Sequence, residues 1–219
     1  MSCHINVMHN TGWPVALVMS AFAYALDARD PVSFIWLASA ARFVYGMDRF
    51  LDGKTSDSDT PEAITLALFV SFLALHSAGI EHLALPETAC VQLYPAFKRR
   101  FAILKPIYVG LGWGGAVCAV PSLIEKREID VRALMGTACA AAAVSNHADI
   151  ADVIDDTKNG IETVPARFGR KRALFYSGAL ATTSVALLST TRRNRRVANG
   201  SNSQARRNSL RGCSLSLLR

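Results

Sequence analysis

The chain has 219 residues, of which 51% are apolar and only 19% charged. That length suits one domain, and the charge is sparser than a soluble domain carries, so a membrane setting is the first to test. The net charge of +7 is concentrated at one end: residues 192–219 hold eight Arg and no acid, and without them 16 basic residues face 17 acidic ones, a net of −1. A nucleic-acid-binding body is thereby excluded, and no nucleic-acid partner is expected.

In chain order, residues 1–12 carry neither Lys nor Arg and make a poor leader peptide, so the first apolar run is expected to be a retained helix. Apolar segments follow at about 13–26, 31–47, 63–79, 83–95, 106–124, 131–147 and 173–190. Most have about 15–20 residues, near the length that crosses about 30 Å of hydrocarbon at about 1.5 Å per residue. A soluble bundle would show a polar stripe every three or four residues. Residues 63–75 and 106–122 show none. Segment 83–95 is the weakest, with Glu81, His82 and Glu87 in or beside it. The expected fold is all-α, a multi-pass transmembrane helix bundle over residues 1–191, followed by a disordered basic tail over 192–219. The five cysteines form no CxxC pair, and none implies a disulfide framework or a zinc site.

Loop charge gives the bundle a sidedness. If every segment crosses once, loops 48–62, 96–105 and 150–172 share a side and carry Arg49, Lys54, Lys98, Arg99, Arg100, Lys105, Lys158, Arg167, Arg170, Lys171 and Arg172. The other side carries Arg29, Lys126, Arg127 and Arg132. The first side is expected to face the cytoplasm, matrix or stroma. The tail departs from this alternation, because Arg192, Arg193, Arg195 and Arg196 directly follow the last apolar segment.

Two aspartate clusters fall on the basic side. Asp48 and Asp52 are four apart on one helical face, with Asp57 and Asp59 in what reads as an exposed turn. Asp149, Asp152 and Asp156 are spaced i, i+3, i+7, which a continuous helix would place on one face. Ionisable groups at a membrane boundary are costly and mark function. Facing carboxylates are reconciled by a hard divalent cation, and Mg²⁺ is commonly shared with substrate phosphates.

Three stretches resemble the UbiA family of intramembrane aromatic prenyltransferases. Asp152-Val153-Ile154-Asp155-Asp156-Thr157-Lys158-Asn159-Gly160-Ile161-Glu162-Thr163-Val164-Pro165, followed by Arg167-Phe168-Gly169, resembles the family's second signature. Tyr94-Pro95-Ala96-Phe97-Lys98-Arg99 is similar to its Tyr-Pro-x-x-Lys-Arg stretch, and Asp48-Arg49-Phe50-Leu51-Asp52-Gly53 to the later half of its first signature. The resemblance covers roughly residues 13–190. It implies Mg²⁺ ligands at Asp48, Asp52, Asp152 and Asp156, with Asp149 as a further candidate. Lys98, Arg99, Lys158 and Arg49 are implied as contacts to the diphosphate. The implied reaction is transfer of a prenyl group from a polyprenyl diphosphate to an aromatic or other lipid-soluble acceptor within the bilayer. Asn146 and His147 are candidates for lining the acceptor pocket.

Two departures keep a second reading open. Val44 and Tyr45 stand where the family's first signature has Asn-Asp, and the chain offers seven apolar segments against about nine helices in the family. A relative that keeps the membrane fold without turnover is the alternative. A soluble terpene-type synthase is disfavoured by the hydropathy. A CDP-alcohol phosphatidyltransferase is disfavoured because Asp52-Gly53 lacks a following Ala-Arg.

Overall fold

The computed structural model describes residues 13–51, 60–158 and 160–191. Among them there is no strand, and seven helices of ten or more residues coincide with the seven apolar segments. They are α1 (Trp13–Ala25), α2 (Pro31–Leu51), α3 (Pro61–Ser77), α4 (Ala84–Arg100), α5 (Ala102–Ile124), α6 (Val131–Ala151) and α9 (Arg170–Thr191). Two short helices, α7 (Val153–Lys158) and α8 (Val164–Phe168), lie between α6 and α9. Asp52, Lys54, Asp57, Asp59 and the basic tail lie outside the described residues.

Local chemistry sets the boundaries. Thr60 caps α3, its hydroxyl accepting from the Ala63 N–H at 3.2 Å, with Pro61 in the first turn where a missing N–H costs nothing. Asp130 caps α6 by accepting from the Arg132 and Ala133 N–H groups at 3.1 Å. After α3 the chain turns at Gly79, φ +73°. Within α5, residues Gly115–Ala119 form a π turn in which the Val120 N–H reaches the Gly115 carbonyl; Pro121 follows immediately.

The helices pack antiparallel in sequence order. Phe43, Ile64 and Ala67 share one cluster, and Leu37 and Leu75 another, so α2 and α3 run oppositely. Ser71 of α3 donates to Glu87 of α4 at 3.1 Å, and Val91 joins the Phe43 cluster. Tyr45 stacks on Trp113 of α5 at 6.3 Å, while Leu37 packs in one cluster with Val117. The α5–α6 contact is the closest. A Cβ at Gly110 would lie 2.5 Å from the Ala138 carbonyl oxygen, and one at Gly114 would lie 2.9 Å from the Ala138 Cβ. Gly110 and Gly114, four apart, therefore let two backbones meet, the small-residue packing used where lipid surrounds a helix pair. The N-terminal half of α9 lies on α6 through Asn146 and Ser177, and its C-terminal half through Gly136 and Leu188.

Two helices, α5 and α9, are long and apolar enough to cross a membrane by length and composition, and α1 and α3 are shorter apolar helices. α2 and α6 are long, but α2 carries Arg42, Asp48 and Arg49, and α6 is built largely of Ala. α4 departs most from expectation. It runs on through Pro95 to Arg100, where a loop over 96–105 was expected, and it has no fully buried residue. The Tyr108 hydroxyl, stacked beside Phe97 and Tyr94, donates to the Cys90 carbonyl at 2.5 Å and ties α4 to α5. The outer surface of the bundle is rich in large apolar side chains, among them Leu17, Leu66, Leu85, Val144 and Phe175.

Candidate functional site

Three helix termini define one end of the bundle. Ala41 of α2, Trp113 of α5 and Ala141 of α6 pack in one cluster with Ala16 and Tyr45. Asp48 lies seven residues beyond Ala41, about 10 Å along the axis. Lys105 lies eight residues before Trp113, and Asp149 eight beyond Ala141, about 12 Å each. The alternating helix directions therefore bring Asp48, Lys105 and Asp149 to the same level. The C-terminus of α4 with Lys98, Arg99 and Arg100, and the N-terminus of α9 with Arg170, Lys171 and Arg172, belong to that end as well. Arg29, Lys126, Arg127 and Arg132 lie at the other end, so among the described residues, which leave out Lys54, the basic groups divide between the two ends as loop alternation predicts.

The second aspartate cluster is not one helical face. α6 ends at Ala151, and Asp152 breaks it with φ −92° and ψ 1° before α7 begins. The expected i, i+3, i+7 alignment is thereby replaced by three distinct environments. Asp149 points inward and is only 1% exposed; its Oδ1 pairs with the Lys105 Nζ. Asp152 is exposed, and its carbonyl accepts from the Asp156 N–H at 2.9 Å. Asp156 is half-buried, and its Oδ2 accepts from the Thr163 hydroxyl at 3.1 Å, while its carbonyl accepts from the Ile161 N–H at 2.8 Å. Gly160, at φ +69°, supplies the left-handed turn that brings Thr163 back to Asp156. Lys158 ends α7 exposed to solvent.

On the first cluster, Asp48 and Arg49 are half-buried in the last turn of α2, where Arg49 complements the helix dipole. Lys98 is half-buried and Arg99 exposed in the last turn of α4, where their charges again suit the carbonyl end of the helix. Among the described residues, no group of three or more Asp, Glu, His or Cys side chains is gathered tightly enough to hold a metal by itself. Asp149 is committed to Lys105, whose ammonium supplies the countercharge a cation would otherwise bring. The exposed Asp152 and half-buried Asp48 and Asp156 carry hard oxygen donors. Mg²⁺ takes only one or two carboxylates when phosphates and waters complete its shell, and oxygens are the donors it prefers.

Compared with protein-family models, with curated proteins and with solved structures, the chain has no match. Its functional reading therefore stands on its own residues.

Lys105 was expected only as a loop charge, yet it lies in the first turn of α5, 15% exposed, and pairs with the buried Asp149 carboxylate. Its signal in the sequence is a lysine directly before Pro106 at the start of an apolar helix. The His147 side chain is exposed, whereas Asn146 is fully buried and donates from Nδ2 to the Ala173 carbonyl at 2.9 Å and the Ser177 hydroxyl at 2.8 Å. Of the two acceptor-pocket candidates, only Asn146 faces the bundle interior.

Proposed function

We propose that this protein is a Mg²⁺-dependent prenyltransferase of the lipid bilayer, organised as a multi-pass bundle of the UbiA type. It transfers a prenyl group from a polyprenyl diphosphate to an aromatic or other lipid-soluble acceptor. The observation that carries the reading is the convergence of both aspartate-bearing helix ends and the Lys98–Arg100 terminus at one end of an antiparallel, apolar-surfaced bundle.

Asp48, Asp152 and Asp156, with Asp52 one helical turn beyond Asp48 in sequence, are the ligands proposed for the metal. Mg²⁺, when bound, supplies neutralisation of the charge on the diphosphate. Lys98, Arg99 and Lys158, with Arg49, bind and orient the diphosphate oxygens and offset the charge that accumulates as the allylic C–O bond breaks. The electron pair of that bond leaves with the diphosphate, and an electron-rich acceptor forms the new bond to the allylic carbon and gives up its proton to the released diphosphate. Thr163 keeps the Asp156 carboxylate in place. The apolar bundle keeps water from the allylic centre, and it suits a long hydrocarbon donor.

Purified protein in detergent with Mg²⁺ and geranylgeranyl diphosphate is expected to release pyrophosphate. Release is expected to stop on adding a chelator and to fall at least tenfold in Asp152→Ala. A non-catalytic relative is the second reading. It is favoured by Val44 and Tyr45 in the first signature and by α9, of whose apolar stretch only 11% is buried. Absence of release from the wild type selects that reading.

A further inference from the structure

The elbow between α8 and α9 carries a surface that prenyl transfer does not use. α8 closes with Arg167 and Phe168, Gly169 turns the chain at φ +82°, and α9 opens with Arg170, Lys171 and Arg172. Val164 and Pro165 seat the elbow by burial, and the Ala173 N–H donates to the Gly169 carbonyl at 3.1 Å. Arg167 meets the exposed Glu162 at 3.4 Å, and its guanidinium lies 5.7 Å from the centre of the Phe168 ring. Arg170, Lys171 and Arg172 are exposed, and their side chains have no ion-pair or hydrogen-bond partner among the described residues.

Local rules do not account for these three cations. Positive charge suits the last turn of a helix, where α2 has Arg49 and α4 has Lys98, Arg99 and Arg100. In the first turn of α9 it opposes the helix dipole, and a broken local rule points to function. Sidedness asks for basic residues at this end of the bundle, but not for exposed apolar side chains among them. Phe168 and Leu174 are each 42% exposed, and Phe175 is 81% exposed. On α9, the buried Ala173, Ser177 and Ser184 mark the face turned to the bundle. Lys171, Phe175 and Gly178 lie on the opposite face, with Arg172 and Leu174 on its two flanks. A Cβ at Gly178 would meet nothing within 4 Å, so beyond Phe175 this face falls to bare backbone, about 10 Å along the axis from Lys171.

We propose that the outer face of the α8–α9 elbow binds an anionic phospholipid. Lys171 and Arg172 take the phosphate, the guanidinium offering it two parallel N–H donors, and an acyl chain runs past Leu174 and Phe175 over Gly178. Cations and exposed apolar surface within about one helical turn select the ligand. A soluble phosphate or a nucleic acid leaves Phe175 uncovered, whereas a lipid covers the ring and pairs the charges. The face is turned away from α6, so it is separate from the groups proposed for the diphosphate. The proposal needs the bilayer setting and does not depend on prenyl transfer.

The test titrates the full chain in detergent with fluorescent phosphatidylglycerol and with phosphatidylcholine of the same acyl chains. The wild type is expected to bind the anionic lipid at least about tenfold more tightly, the order that two basic side chains give against one anionic headgroup. The double variant Lys171→Gln, Arg172→Gln is expected to bring the ratio to within about twofold. Phe175→Ala is expected to weaken binding of both lipids. Lys126→Gln, Arg132→Gln removes two exposed cations from the opposite end and is expected to leave the ratio unchanged. The first double variant removes charges that oppose the dipole, so it is expected to melt no lower than the wild type. A wild-type ratio near one overturns the proposal. So does a preference that persists in Lys171→Gln, Arg172→Gln, which assigns it to the eight Arg of residues 192–219 or to overall charge. Displacement of the lipid by excess inorganic phosphate assigns the cations to a free anion and overturns it. Displacement by stoichiometric geranylgeranyl diphosphate assigns the face to the prenyl donor, and a Phe175→Cys disulfide between copies in a cysteine-free background assigns it to a second chain; each overturns it. Absence of pyrophosphate release counts against prenyl transfer and leaves this lipid ratio to be read independently.

Discussion

At the scale of single residues, the Lys105–Asp149 pair sets the character of the acidic end. Both groups are withdrawn from solvent, so each depends on the other. Removing the cation in Lys105→Met strands a buried carboxylate and is expected to destabilise the fold by about 3–5 kcal/mol. The double variant Lys105→Met, Asp149→Leu is expected to recover most of that loss, which thermal unfolding in detergent would measure. At the opposite end, Glu125 joins two turns. Its Oε1 accepts from the Arg29 N–H at 2.5 Å and the Asp30 N–H at 2.9 Å, and its Oε2 meets Arg127 at 2.7 Å. Burial pushes its carboxyl up, but the two N–H groups and the guanidinium outweigh burial and hold it below the ordinary range. A depressed folded value means that its stabilisation is complete above the unfolded value of about 4.3. It is lost as pH falls through the folded value. The melting temperature of the wild type is therefore expected to fall below about pH 4.3, and Glu125→Gln to have lost this contribution already at neutral pH and to show a flatter acid profile.

At the scale of elements, the α5–α6 pair is the tightest joint, and its spacing is set by glycine. Gly110→Leu drives a side chain into the Ala138 backbone, which cannot move aside, and is expected to cost about 1–3 kcal/mol or more. Gly112, two residues on, meets nothing within 4 Å. Gly112→Ala is therefore expected to stabilise the helix by roughly 0.5–1 kcal/mol. Comparing the two melting temperatures separates close packing from helix propensity. α4 is the contrasting case. It buries no residue completely and is held by Glu87 to Ser71 and by Tyr108 to the Cys90 carbonyl. Its helical course past Pro95 places Lys98, Arg99 and Arg100 at the acidic end, where a free loop would leave their positions open.

At the scale of the whole molecule, the alternation of helix direction gives the bundle two chemically different ends. In the proposed multi-pass arrangement those ends face opposite aqueous phases. Single cysteines introduced at Lys98 and Lys126 in a cysteine-free background are expected to react with an impermeant maleimide from opposite sides of sealed vesicles. Labelling of both from one side would refute the multi-pass arrangement. The apolar outer surface, including Phe175 at 81% exposed, has no partner among the described residues and is suited to hydrocarbon.

Helix number and approximate extent were legible in the sequence because uniform apolarity over 15 or more residues has few other solutions, and the seven expected segments are the seven long helices. The shared end of the acidic and basic groups was also legible, since strict alternation of direction follows from counting segments. The break at Asp152 was not: the spacing of Asp149, Asp152 and Asp156 is helical, and nothing in that spacing marks the turn at Asp152, with φ −92° and ψ 1°. Asp152 therefore faces solvent while Asp149 faces inward, and Lys105 becomes its partner across 44 positions of sequence. One-dimensional periodicity determines which face a residue takes on its own helix. Which charge meets which across the bundle depends on how closely two backbones approach, and here that distance is decided by Gly110 and Gly114 against Ala138.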